Sequence, residues 1–78
     1  MIAELDPVAL TRDVPASHLE SGDVGAVVHA YGTRAYEVEF VTGRGETLAV
    51  LTLTPSDIRP LHPLEVLHAR SQKPPTVR

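Results

Sequence analysis

Ala35-Tyr36-Glu37-Val38-Glu39-Phe40-Val41 decides the fold. Its large apolar side chains fall at every second position, with a carboxylate in each gap. Side chains alternate across a strand with a period of two, so this spacing predicts a half-buried β-strand. Tyr36, Val38 and Phe40 then share a core face, and Glu37 and Glu39 share the solvated one. Both flanks read as turns. Tyr31-Gly32-Thr33-Arg34 precedes the strand, and Thr42-Gly43-Arg44-Gly45-Glu46 follows it with two glycines able to take positive φ. A strand between two tight turns belongs to an antiparallel meander.

Working outward, residues 24–31 form a valine-rich run that predicts the preceding strand. Gly25 sits near its start, where a bulge or a close backbone approach is expected. Residues 47–53 predict the following strand. Its core, Leu48-Ala49-Val50-Leu51, is apolar on both faces, as in a strand covered on both sides or meeting a partner. Pro7-Val8-Ala9-Leu10-Thr11 predicts a short first strand. The polar connection from Asp13 to Asp23 contains Pro15, Ser17, Ser21 and Gly22, and Val14 and Leu19 are expected to tuck it onto the core. Thr54-Pro55-Ser56-Asp57 starts a single helical turn, with Thr54 as cap, Pro55 at the first position and Asp57 three after the cap. Ile58-Arg59-Pro60-Leu61 predicts a short closing strand. The pattern predicts an all-β, SH3-like five-stranded barrel over residues 1–61, with a long loop after strand 1 and one helical turn before the last strand.

Residues 62–78 read as a C-terminal extension. His62-Pro63 breaks the chain, 65–70 is expected to add a strand or a short helix, with the strand favoured, and 71–78 reads as a frayed tail around Pro74-Pro75. Leu64, Val66 and Leu67 lie beyond the barrel, where little core remains to receive them.

A chain of 78 residues is one small domain with a modest core. It has no cysteine, so packing or association must supply the stability that a disulfide or a cysteine-ligated metal supplies elsewhere. The start, Met1-Ile2-Ala3-Glu4-Leu5-Asp6, lacks the basic residues and apolar run of a signal peptide, and no stretch approaches a membrane span. A cytoplasmic address is expected. The net charge of −3 opposes general nucleic-acid binding, which needs a concentrated positive field.

Three segments together carry a resemblance: residues 8–15 (VALTRDVP), 22–29 (GDVGAVVH) and 36–40 (YEVEF). With Glu46–Leu53 and Asp57–Pro60 they resemble a small bacterial family catalogued as a domain of unknown function, over about residues 5–61. Such proteins are often encoded beside a second small protein, which implies an antitoxin- or immunity-like pairing. More distantly, Gly22-Asp23-Val24-Gly25-Ala26-Val27 is similar to ribosome-associated SH3-like domains of the KOW type. It is also similar to the SH3-like domain of the nitrile hydratase β subunit. These likenesses imply a barrel and leave two alternative functions, a nucleic-acid module or an accessory subunit of a metal-bearing enzyme.

The residues do not spell out chemistry. Gly22-Asp23-Val24-Gly25 leads into a valine-rich strand and not a helix, so it reads as a turn and not a phosphate loop. His18, His29, His62 and His68 have no ligand-motif spacing, and no metal or cofactor is expected. No serine has a nucleophile's context, and Glu37 and Glu39, about 7 Å apart along one strand face, read as solvated. No catalytic residue is assigned and no enzyme is expected. Arg34 and Arg44 fall in turns at opposite ends of one strand, roughly 20 Å apart, and build no compact patch with Arg12, Arg59 and Arg70. Protein association remains, with a neighbour-encoded protein or a second copy. Leu64, Val66, Leu67, Val50 and Arg59 are the candidate contact residues.

Overall fold

The computed structural model describes residues 2–61. Five strands form one antiparallel sheet: β1 (Pro7–Leu10), β2 (Val24–Tyr31), β3 (Ala35–Val41), β4 (Thr47–Leu53) and β5 (Ile58–Pro60). Their order across the sheet is β4-β3-β2-β1-β5. The middle three strands keep the bounds expected from alternation and turn chemistry. The first ends at Leu10 and not Thr11, because Thr11 turns its backbone N–H to Asp57. The extension after Leu61, with Leu64, Val66 and Leu67, lies outside the described residues.

The core gathers one face of every strand. Val8, Leu10, Val27, Tyr36, Val38, Phe40, Leu53 and Ile58 are buried in one cluster, and Leu19 joins them from the long loop. Burying each such side chain contributes about 1.5–3 kcal/mol relative to exposure. Val14 also packs against this cluster and bridges Leu19, so the two apolar residues of the loop do fasten it down. That loop contains a 3-10 turn at Pro15–Ser17, closed by His18 in the left-handed region at φ 58°.

β2 serves two partners in succession. Val24, Gly25 and Ala26 pair with β1, whereas Ala26 onward pairs with β3. Ala26 is the hand-over point. Just before it, a Cβ on Gly25 would lie 2.8 Å from the Glu39 carbonyl oxygen, from Phe40 Cε1 and from Val38 Cγ1. Only glycine lets β2 come this close to β3. Gly25 is thus a close approach, and the register shift in β2 falls between Val27 and His29 instead. In the β3–β4 turn only Gly45 takes positive φ, at 83°, while the Thr42 N–H donates to the Glu46 carbonyl.

The helical turn Pro55–Asp57 forms as its capping residues predict. The Asp57 carboxylate accepts from the Thr54 backbone N–H at 3.0 Å and from the Thr54 hydroxyl at 3.0 Å. The turn is also tied to the end of β1. Thr11 Oγ1 donates to the Ser56 carbonyl at 2.6 Å, and Arg12 Nε donates to Asp57 Oδ1 at 2.8 Å. These bonds fix where β5 starts, so Ile58 falls opposite Leu10. Among the described residues no helix is long and apolar enough to cross a membrane.

Candidate interaction surface

The solvent-facing side of β2, β3 and β4 carries the most organised group of exposed side chains. Register places His29 opposite Glu37, Glu37 opposite Thr52, and Glu39 opposite Val50. Side chains directly opposite in an antiparallel pair sit within contact distance, so these three strands bring their outer residues together. Glu37 Oε1 accepts from the Tyr31 hydroxyl at 3.0 Å and from Thr52 Oγ1 at 3.2 Å. Glu39 Oε2 accepts from Thr47 Oγ1 at 2.7 Å. The hydrogen bond to Glu37 raises the Tyr31 phenol above its ordinary pKa, and the charge of the same carboxylate further disfavours a phenolate.

Next to the tyrosine, His29 meets Tyr31 edge-on, with ring centroids 4.5 Å apart, and its Nδ1 lies 3.3 Å from Glu4 Oε2. His29 is an exposed strand residue. His29, Tyr31 and Glu37 therefore lie together in space, but in the open. Each is exposed or only half-buried.

An apolar row lies beside the carboxylates. Val50 is 48% exposed, Val41 52% and Leu48 36%. On the opposite face of β4, Ala49 and Leu51 are half-buried against the core and Leu53 is buried. The apolar excess of residues 47–53 thus splits into a core face and an exposed one. Among the described residues β4 pairs only with β3, so its other edge has no ladder partner. The opposite edge of the sheet differs. β5 is three residues long and presents Arg59 and Pro60, both residues that discourage added strands.

The sequence-based candidates divide accordingly. Val50 stands in the exposed row of β4. Arg59 stands on β5, with its Nη1 3.4 Å from the Pro60 carbonyl, and pairs across the ladder with Ala9 of β1. Val50 and Arg59 therefore lie on the two outermost strands of the sheet. Leu64, Val66 and Leu67 lie outside the described residues. Of the arginines, Arg12 is ion-paired to Asp57, Arg34 sits in the β2–β3 turn and Arg44 in the β3–β4 turn. The structure adds Leu48, Val41 and the Tyr31–Glu37–Thr52 group to the surface. Leu48 belongs to the doubly apolar run, so its signal was in the sequence. The polar group needs the pairing register of three strands.

Fold and surface define a class: a small all-β domain built on one five-stranded antiparallel sheet, with an exposed outer face. The chain belongs to the family described as Domain of unknown function (DUF4926), whose sequence model matches residues 4–60. The match is consistent with the expected small family of unknown function and covers nearly the span expected for it, residues 5–61. No curated protein and no solved structure matches the chain.

Proposed function

We propose that this domain is a non-catalytic protein-interaction module, the antitoxin- or immunity-like partner of a protein encoded beside it. The observation that carries the reading is the exposed apolar row Val41, Leu48 and Val50 beside an edge of β4 that no described residue pairs with. An exposed apolar row beside a strand edge that has no ladder partner among the described residues is a surface suited to another chain. The strand order, with β2 handed from β1 to β3 at Ala26, supports an SH3-like barrel as the scaffold. The absence of cysteine from the sequence supports a cytoplasmic setting.

Co-expression with the neighbouring gene's product, followed by size-exclusion chromatography, tests the reading. Co-elution that is lost with Val50→Glu is expected. Separate elution of both proteins at micromolar concentration counts against it.

A further inference from the structure

We infer that the outer edge of β4 takes an extended, cationic segment of the partner, added as a sixth strand with basic and apolar residues alternating. This rests on the interaction reading above and specifies its partner.

The edge comes first. Residues 47–53, Thr-Leu-Ala-Val-Leu-Thr-Leu, contain no charge and no proline. Edges are normally guarded by such residues or by bulges. The register shift between Phe40 and Val41 sits at the start of β4, leaving pairing regular from Ala49 to Leu53. Among the described residues the outer N–H and C=O groups of β4 have no ladder partner, and such an edge selects an extended segment over a helix.

The two faces of β4 set the sequence of that segment. On the inner side an added residue meets half-buried Leu51 and Ala49, which favours a valine-like side chain. On the outer side it meets Val50 and Thr52, with Glu39 and Glu37 directly behind them on β3. The added strand lies about 10 Å from β3, two strand spacings away. A lysine or arginine can lay its stem over Val50 and bring its charge to these carboxylates. Among the described residues no cation pairs with Glu37 or Glu39: Arg12 is engaged by Asp57, and His29 by Glu4. Glu37 Oε2 and Glu39 Oε1 stand apart from the hydrogen bonds made by the other oxygen of each carboxylate.

Charge also decides against a second copy. A β4–β4 pairing would bring in no cation, and would add two more carboxylates to an edge already flanked by two.

A labelled peptide of alternating lysine and valine, about eight residues long, is the probe. It is titrated against the full chain beside a glutamate–valine peptide and a DNA duplex. The lysine–valine peptide is expected to bind, more weakly as salt rises, and about tenfold more weakly to Glu37→Gln/Glu39→Gln, a variant whose melting temperature is checked separately. Equal binding of both peptides, an unchanged affinity in the double variant, binding of DNA alone, dimerisation of the chain through β4, or occupation of that edge by residues 65–70 of the chain itself would overturn the inference. If the neighbour-encoded protein binds wild type and double variant alike, the inference fails and the interaction reading stands. If neither that protein nor the peptide binds, both fail.

Discussion

Arg12 Nε lies 2.8 Å from Asp57 Oδ1, joining the end of β1 to the helical turn before β5 across 45 residues of chain. The same carboxylate accepts from Thr54, so a single side chain caps the turn and anchors it. The hydrogen bond from Arg12, followed by that from the Thr54 backbone, lowers the Asp57 pKa from 3.8 to about 2.

The sign of the resulting pH dependence follows. A carboxyl whose folded pKa is depressed stabilises the fold above its unfolded pKa and loses that contribution as pH falls through the folded value. Asp57→Ala should therefore destabilise at neutral pH by about 1 kcal/mol, a cap plus a solvent-screened ion pair. The gap to wild type should close between pH 4 and pH 2. Urea melts of both proteins across that range measure it.

Gly25→Ala should destabilise by about 1–3 kcal/mol, because the new methyl meets a backbone oxygen as well as two side chains. The residue faces β3 where β2 changes partner, and a backbone carbonyl cannot swing aside as a side chain can. Thermal unfolding of the variant gives the number.

Leu5 holds φ at 74° while the residue is 82% exposed, and its N–H donates to the Val27 carbonyl. The conformation is costly for a residue with a Cβ, and the side chain gains no burial in return. Leu5→Gly should leave stability unchanged or slightly raised. Leu5→Val, β-branched in the same conformation, should be less stable than Leu5→Gly by about 1–2 kcal/mol. The two melting curves side by side decide the order.

Tyr31 should ionise above the ordinary tyrosine range while its hydroxyl bonds Glu37. A raised folded pKa stabilises the fold below the unfolded value and loses that contribution as pH rises through the folded one. Glu37→Gln should bring the absorbance titration of Tyr31 to lower pH. An unchanged titration would show that the bond is not made.

The order of strands was legible where the signals are local. Tyr36–Phe40 alternates, Gly45 marks its turn, and Thr54-Pro55-Ser56-Asp57 carries its own cap. The contacts of Thr11 and Arg12 with Ser56 and Asp57 were not legible, since no local pattern relates residues so far apart. The positions of the register shifts escaped for a related reason. Gly25 signals that something is tight, but only pairing shows that it is the approach to β3. At the surface, the excess of apolar residues at 47–53 pointed to Val50, and Leu48 lies in the same run. Glu37 and Glu39 read only as a solvated face, because their placement beside Val50 and Thr52 depends on the β3–β4 register.

The most direct test of the interaction surface is an amide chemical-shift titration of the labelled domain with the neighbour-encoded protein. Perturbations concentrated on Leu48–Thr52 and on Glu37 and Glu39 of β3 are expected. Perturbations centred on β1 and β5, with β4 unmoved, would contradict the assignment.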